Sequence, residues 1–241
     1  MTPIIIFHTS DLHGALAPGA VERLASLKRA HPGALLLDAG DAVKAGNLGV
    51  SPKGEPVLRR MAEAGYEAMA MGNRESHPLR AGLTRKLKDA TFPVLCANLV
   101  AKRGEPPVVV KPSVIFDRGA RRVAVFGLTV PMTRPGSGWA RVTSFVFDDP
   151  VETAARLAPE LRQKADLVVC LSHCGQNVDV LLAEVREIDL VLGGHSHKLF
   201  VEHRPGKAMV VAPGGYGRYV SRTEIVSREQ VTSELIALEE R

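Results

Sequence analysis

Short apolar runs alternate along the chain with segments whose apolar residues are spaced three and four apart. The runs over 3–9 and 35–41 predict buried strands, and the spacing over 21–29 predicts a helix between them. A strand, a helix and a second strand form a βαβ unit, in which the strands are parallel and ligands gather where the strands end. The pattern therefore predicts an α/β fold with a candidate site at one edge of a sheet.

The same criteria predict the remaining elements. Helices are expected over 55–64, 79–87, 150–164 and 180–185, and strands over 68–71, 92–97, 108–116, 122–128, 167–171, 190–192, 208–212, 219–226 and 230–238. The sequence Asp-Arg-Gly-Ala at 117–120 predicts a hairpin turn, and the last three runs predict antiparallel β structure at the end of the chain.

Polar side chains stand where the apolar runs end. The run over 35–41 ends in two carboxylates and a glycine, which places Asp41 at the C-terminal mouth of a buried strand. Similar junctions carry Asp11, His13, Asn73, His173, His195 and His197. One such residue alone is commonly a turn residue, a helix cap or a histidine of the core. Together, three histidine-bearing and two aspartate-bearing strand ends favour a metal site.

Composition narrows the class of protein. The chain has 241 residues, of which 45% are hydrophobic, and we expect a single domain over 1–241. The sequence shows no signal peptide and no apolar run of membrane length, so we expect a cytoplasmic protein that does not associate with membranes. The net charge of +5 suits an anionic substrate. Nucleic-acid binding has less support, because only 5% of the residues are aromatic.

A second metal hypothesis concerns Cys170, His173 and Cys174. This cluster lacks the further ligands of a closed zinc site, and Cys170 is expected to pack as a small apolar residue. The aspartate, asparagine and histidine set is better suited, because a two-metal hydrolytic site needs about seven protein groups with one bridging carboxylate. Since this set contains no thiolate, two divalent ions are expected, manganese first and iron, zinc or magnesium as alternatives.

The motifs occur in the order Asp-x-His, Gly-Asp, Gly-Asn-x-Glu, His and Gly-His-x-His. This order resembles the calcineurin-like metallophosphoesterase superfamily and, within it, the catalytic N-terminal domain of bacterial 5'-nucleotidases, over residues 4 to about 226. The resemblance implies a four-layer α/β sandwich, in which helices flank two mixed β-sheets. It also implies hydrolysis of a phosphoester by a hydroxide held between the two ions.

The resemblance further implies how the ligands are divided. One ion would be held by Asp11, His13, Asp41 and His197, and the other by Asp41, Asn73, His173 and His195. Asp41 would therefore bridge the two ions. The catalytic residues implied beside them are Asn73 and Arg74 of the Gly-Asn-x-Glu motif, and His77, two residues after its glutamate.

Arg74 and His77 depart from the family pattern. Arg74 stands where the family usually has a histidine, and His77 where the 5'-nucleotidase branch has an aspartate that orients this histidine. The usual histidine stabilises the transition state or protonates the leaving oxygen, and a guanidinium, with a pKa above about 12, can do only the first. We expect Arg74 to clamp the phosphoryl oxygens while His77 or solvent serves the leaving group. The alternative is that Arg74 pairs with Glu75 or a nearby carboxylate.

Three features bear on the substrate. The chain is expected to lack the C-terminal nucleoside-binding domain of 5'-nucleotidases, so nucleotide specificity does not follow from the resemblance. The glycine-rich segment 213–217 either lines the substrate pocket or forms a turn, and the turn is favoured. Trp139, in the loop 134–139, is either part of a lid or a packed aromatic residue, and packing is favoured.

The leading functional hypothesis is a dinuclear-metal phosphoesterase. Its substrate would be a small anionic phosphomonoester or phosphodiester, with nucleotides and cyclic nucleotides as candidate classes. One alternative is a sulfur-ester hydrolase of the same family, which the missing export signal disfavours. The other is a catalytically degenerate domain that binds metal or a partner, which the complete set of ligand positions disfavours. The sequence does not indicate an oligomeric state.

Overall fold

The computed structural model describes residues 2–238, which contain five α-helices, a short 3-10 helix at Gly138–Arg141 and fifteen strands. The helices are α1 (Pro18–Ala30), α2 (Pro56–Ala64), α3 (Arg80–Lys86), α4 (Pro150–Arg162) and α5 (Gln176–Leu182). The strands are β1 (Ile4–Thr9), β2 (Leu35–Asp38), β3 (Ala68–Ala70), β4 (Val94–Leu95), β5 (Leu99–Ala101), β6 (Val110–Lys111), β7 (Ser113–Arg118), β8 (Arg121–Thr129), β9 (Phe145–Phe147), β10 (Leu167–His173), β11 (Leu190–Gly193), β12 (Leu199–Glu202), β13 (Met209–Pro213), β14 (Tyr219–Ile225) and β15 (Val231–Ala237). None of the helices within the described range is long and apolar enough to span a membrane.

The strands form two large mixed sheets and one small sheet. The first sheet has the order β15-β14-β1-β2-β3-β4-β6, and its strands from β1 to β6 are parallel. The second has the order β12-β13-β11-β10-β8-β7, with parallel strands in the middle and antiparallel strands at both edges. The small sheet pairs β5 with β9. Each large sheet therefore gathers the C-terminal ends of its parallel strands along one edge.

Alternation along the strands distributes the apolar side chains over three layers. On β1, Ile4 and Ile6 point into a core between the two sheets, where they meet Val125 and Val169 of the second sheet. Phe7 points to the other side and packs with residues of α1, α2 and α3. A third core lies between the second sheet and the helices α4 and α5. The fold is thus the predicted four-layer sandwich.

Gly127 marks the closest approach of the two sheets. A Cβ atom at this position of β8 would lie 2.2 Å from the carbonyl oxygen of Leu95 in β4. The Gly127 carbonyl also accepts a hydrogen bond of 2.7 Å from the Ala97 amide, next to β4. Because a side chain at 127 would separate these backbones, the packing of the two sheets depends on a glycine here.

Several predicted elements are confirmed. The hairpin at 117–120 joins β7 to β8, with Arg118 paired to Arg121. Antiparallel pairing near the end of the chain is also present, since β14 pairs with both β1 and β15. Cys170 is buried in the outer core of the second sheet, as expected for a small apolar residue. The predicted helix over 180–185 begins earlier, at Gln176.

The predicted strand over 108–116 is wrong as a single element. Pro112, which has no N–H to donate, separates β6 from β7. The two strands belong to different sheets, because β6 pairs with β4 and β7 pairs with β8. The strands β5, β9 and β12 are not among the predicted elements.

The packed position expected for Trp139 is also wrong. Its side chain lies in the 3-10 helix and is 63% exposed. Leu48, on a different loop, is 69% exposed. Both residues border a cavity described below, which gives these exposed apolar groups a common location.

We predict that Gly127→Ala destabilises the fold by about 2 kcal/mol or more, because the added methyl group overlaps the Leu95 carbonyl. Urea unfolding would measure the change. Gly19→Ala in α1 is the matched control, because no atom lies within 4 Å of its Cβ position, and it should be neutral or slightly stabilising. Equal stabilities of the two variants would contradict the role given to Gly127.

Candidate metal centre

The predicted ligands lie in unusual backbone conformations. Within residues 2–238, six non-glycine residues have φ values between +49° and +70°. This left-handed region is uncommon for residues with side chains and clusters at functional sites. The six residues are Asp11, His13, Asp41, His195, His197 and Tyr216. Five of them are predicted metal ligands, so the backbone strain is concentrated at this one place.

Backbone hydrogen bonds between neighbouring strand ends hold these conformations. The Asp11 amide donates to the Gly40 carbonyl at 2.8 Å, and the His13 amide donates to the Asp41 carbonyl at 2.9 Å. The loop that follows β1 is therefore bonded to the loop that follows β2. Because both strands are parallel, their polar ends meet at the same edge of the first sheet.

The first group of side chains consists of Asp11, His13 and His197. The Nε2 atoms of the two histidines are 3.0 Å apart. Asp11 Oδ1 lies 3.3 Å from Nε2 of His197 and 3.9 Å from Nε2 of His13. This oxygen is buried and has no hydrogen-bond partner among the described residues. Three possible ligand atoms thus converge, and one of them, the Asp11 oxygen, has no hydrogen-bond partner within residues 2–238.

The second group consists of Asp41, Asn73, His173 and His195. Nε2 of His173 lies 3.4 Å from Asp41 Oδ1 and 3.2 Å from Asn73 Oδ1. His195 Nδ1 lies 3.1 Å from the same Asn73 oxygen and 3.3 Å from His173 Nε2. The second sheet supplies the two histidines and the first sheet supplies Asp41 and Asn73. The centre therefore lies where the edges of the two sheets meet.

A hydrogen bond to the backbone fixes the orientation of the His173 ring. Its Nδ1 atom lies 2.8 Å from the Ala39 carbonyl oxygen, which can only accept, so Nδ1 carries a hydrogen and Nε2 faces the group. Burial disfavours a charged His173, but its contact with Asp41 outweighs burial and raises its pKa to about 9. The surroundings therefore favour a positive charge next to Asp41.

Two further imidazoles, those of His13 and His195, favour the neutral form that binds metals. Burial, aided by the nearby charge of Arg74, lowers the pKa of His13 to about 4. Burial also lowers the pKa of His195 below its usual range. Both rings are then neutral near pH 7 and have a lone pair available. Oxygen and imidazole donors with an unpaired buried carboxylate oxygen fit divalent cations of the manganese, iron, zinc and magnesium class.

Two sets of aspartate and histidine side chains lie close enough together to bind an ion. Asp11, His13 and His197 form one candidate metal site, and Asp11, Asp41 and His173 form another. Asp11 belongs to both groups, whereas the sequence predicted Asp41 as the shared ligand. The bridging role of Asp41 stays a prediction.

Glu75 supports the centre in a way that the sequence did not indicate. Its carboxylate is fully buried and accepts hydrogen bonds from the backbone amides of Asp41 (2.8 Å), Val43 (2.9 Å) and Gly72 (2.8 Å). A Cβ atom at Gly72 would lie 2.3 Å from the Asp41 nitrogen. The Gly-Asn-x-Glu motif was the available signal, since it places a carboxylate two residues after a predicted ligand.

Lys86 is a second supporting residue that the sequence did not indicate. Its side chain is buried, and Nζ donates to four backbone carbonyls, those of Gly46 (2.8 Å), Asn47 (3.1 Å), Arg74 (2.5 Å) and Ser76 (3.0 Å). It therefore fastens the loop after β3 to the loop after β2. The sequence carried no signal for this role, because a lysine near a helix end ordinarily faces solvent.

Arg74 lies at the border of the second group. Its amide donates to Asp41 Oδ1 at 2.7 Å, and its Nε atom is 3.8 Å from Asp41 Oδ2. The guanidinium also donates to the Lys44 carbonyl at 3.1 Å and remains partly exposed. The position suits both interpretations of the sequence, because Arg74 is next to a ligand and close to a carboxylate.

His77 lies apart from the ligand groups. Its Nδ1 atom contacts the backbone of Leu79, and its ring fills the space above Gly82. The ring borders the same cavity as Trp139. A role for His77 in serving a leaving group stays a prediction.

Tyr216 completes the rim of the first group. Its ring centroid lies 5.1 Å from that of His13 and 5.3 Å from that of His197. Its amide donates to the Asp11 carbonyl at 2.8 Å. The segment 213–217 therefore forms the favoured glycine-rich turn and also borders the centre.

Comparison with known proteins agrees with this geometry. Residues 4–199 match the family model described as calcineurin-like phosphoesterase. The chain belongs to the calcineurin-like phosphoesterase family. Its aspartate and histidine groups are those of a metallophosphoesterase, and the chain matches the N-terminal part of 5'-nucleotidases. The family predicted from the order of the motifs is thereby confirmed.

Individual relatives place this phosphoesterase near 5'-nucleotidases. It is 33% identical to a 5'-nucleotidase of Bos taurus, and the matched region covers 85% of this chain and 40% of the relative. A 5'-nucleotidase precursor from Thermus thermophilus has a TM-score of 0.80 at 25% identity, over 98% of this chain and 54% of that one. The sulfate thiohydrolase SoxB from the same species has a TM-score of 0.80 at 20% identity, over 99% of this chain and 57% of that one. The latter likeness shows the fold alone, and this chain spans about half or less of each of these proteins.

We predict that Asp41→Asn weakens the binding of Mn²⁺ by about 100-fold or more, because it removes a charged oxygen donor from the centre. Titration calorimetry would measure the affinity and the number of ions bound. Asp38→Asn is the matched control, because Asp38 ends the strand that precedes Asp41. Asp38 is buried, accepts from Thr9 Oγ1 and the Gly40 amide, and belongs to neither group. Unchanged binding by Asp41→Asn would contradict the metal centre, and equal losses in both variants would indicate a general folding defect.

Proposed function

We propose that this metallophosphoesterase hydrolyses small anionic phosphoesters with two divalent ions, manganese being the first candidate. The observation that carries the proposal is the convergence of seven oxygen and imidazole donors at one edge of the fold. The names of the relatives support nucleotides as a substrate class. Localisation in the cytoplasm is part of the same proposal.

In this proposal, one set of residues binds the ions and another supports the ligands. Asp11, His13 and His197 would hold one ion, while Asp41, Asn73, His173 and His195 would hold the other. When bound, the ions would supply Lewis acidity to the phosphoryl oxygens and an activated water as the nucleophile. Glu75 accepts three backbone hydrogen bonds and so holds Asp41 and the loop after β3 in place relative to each other. The protein's own contribution is therefore a rigid arrangement of donors.

Arg74 is proposed to bind the phosphoryl oxygens. Its guanidinium is partly exposed at the border of the centre, and a planar guanidinium suits phosphate oxygens. Since it stays protonated, it stabilises negative charge but cannot give a proton to the leaving oxygen. Esters with acidic leaving groups should therefore be better substrates than esters of simple alcohols.

The alternative activities have less support. A sulfur-ester hydrolase shares the fold at 20% identity, and a fold alone does not indicate its substrate. Turnover of a thiosulfonate but of no phosphoester would favour that alternative. A protein without catalysis would bind metal and turn over neither class.

We predict that Arg74→Ala lowers kcat/KM for p-nitrophenyl phosphate by about 100-fold. The substitution removes the guanidinium that stabilises negative charge on the phosphoryl oxygens in the transition state. Arg74→Lys should retain part of the activity. Arg74→His should raise the rate on an alkyl phosphate relative to p-nitrophenyl phosphate, because an imidazole can also donate a proton. An unchanged kcat/KM for Arg74→Ala would support the alternative in which Arg74 only pairs with Asp41.

A further inference from the structure

A cavity of about 230 Å³ lies beside the metal centre. We refer to it as the aromatic pocket. Its apolar wall consists of Leu48, Met132, Trp139, Phe145 and Phe147. Asn47, Ser76 and His77 form its polar side. No acidic side chain is present among the described residues that line it.

The aromatic pocket is continuous with the ligand loops. Asn47, on its polar side, accepts a hydrogen bond of 3.1 Å from Nδ2 of the ligand Asn73. Ser76 and His77 follow the Asn73-Arg74-Glu75 motif directly in the chain. Lys86 binds the carbonyls of Asn47 and Ser76 and so fixes this side of the pocket. Asn47 therefore connects the pocket to the candidate metal centre, because it lines the pocket and is hydrogen-bonded to Asn73.

The apolar wall is also held in place. Lys102 Nζ donates to the carbonyls of Ala140 (2.5 Å) and Thr143 (2.9 Å), which ties down the segment that carries Trp139. Phe145 and Phe147 belong to β9, and the Phe147 amide donates to the Thr133 carbonyl at 2.8 Å. Trp139 is 63% exposed although its backbone is fixed. A large aromatic ring displayed on a fixed segment beside a catalytic centre is suited to contact a ligand.

We propose that the aromatic pocket binds the aromatic part of the leaving group of the phosphoester. This inference rests on the proposed function, because it takes the phosphoryl group to be at the metal centre. The volume is smaller than the roughly 300 Å³ or more of pockets for drug-sized ligands, so it suits a single ring system. The exposed ring of Trp139 offers a stacking surface, and the buried rings of Phe145 and Phe147 add apolar lining to the pocket. An aryl ring and a nucleobase share this chemistry.

Trp139 is the single tryptophan of the chain, so its fluorescence reports on the pocket directly. In the metal-loaded protein, phenylphosphonate and adenosine should change the emission of Trp139 with saturation, whereas methylphosphonate should not. This measurement does not require turnover. A response that is the same for the aromatic probes and methylphosphonate, or no response to either aromatic probe, would overturn the inference.

Kinetics give the second test. Trp139→Ala should raise KM for p-nitrophenyl phosphate or 5'-AMP by about tenfold, the order expected for one lost stacking contact, and leave KM for acetyl phosphate unchanged. An effect on one of the two substrates alone would identify the ring as aryl or as nucleobase. Trp139→Phe should restore most of the affinity. Val142→Ala is the control, because Val142 is 61% exposed on the same segment but does not line the pocket.

The outcomes separate this inference from the proposed function. If Trp139→Ala hydrolyses all three substrates with wild-type KM values, the pocket inference is overturned and the phosphoesterase proposal stands. If the wild-type protein hydrolyses no phosphoester but Trp139 fluorescence responds selectively to the aromatic probes, the proposed activity fails and the pocket is retained as a binding site. Because Trp139 is largely exposed, its replacement should leave the unfolding midpoint in urea unchanged.

Discussion

The buried carboxylate of Glu75 is the contact on which the rest of the site depends. It accepts backbone hydrogen bonds from Asp41, Val43 and Gly72, and so it joins the loops that follow β2 and β3. Asp41 has a left-handed backbone, and such a conformation persists only where neighbouring groups fix it. Burial raises the pKa of Glu75 to about 7, and the backbone hydrogen bonds from Val43 and Asp41 oppose this shift by favouring the charged form. Without these contacts, the loops that carry Asp41 and Asn73 would no longer be held together.

The second requirement is that two sheets present their polar ends together. His173 ends β10 of the second sheet, yet its Nδ1 is bonded to the Ala39 carbonyl after β2 of the first. A Cβ atom at Gly194 would lie 3.1 Å from the same Ala39 oxygen. Glycine at this position, as at Gly127, lets backbones of the two sheets approach closely. The geometry of the metal centre therefore follows from the packing of the sheets as much as from the ligands.

The sequence predicted the part of the site that strand periodicity controls. Asp41 and His173 follow long apolar runs, and their positions at strand ends follow from those runs alone. Glu75 and Lys86 could not be assigned in this way, because their partners are backbone groups of distant loops. The exposure of Trp139 could not be predicted for a related reason, because it depends on whether distant segments of the chain cover the ring. Local pattern thus predicts which residues reach an edge but not what supports or borders them.

Arg74 changes the electrostatics of the centre as well as its catalytic possibilities. After burial, its charge is the next largest cause of the lowered pKa of His13. A histidine at position 74 would carry a positive charge only at low pH, whereas a guanidinium is charged throughout the range in which proteins fold. Arg74 thereby adds to the effect of burial in favouring the neutral form of His13. In the proposed function it also offers positive charge to a phosphoryl group. A permanently charged guanidinium does not give a proton to a leaving oxygen. The proposed function therefore favours esters whose leaving group needs no proton.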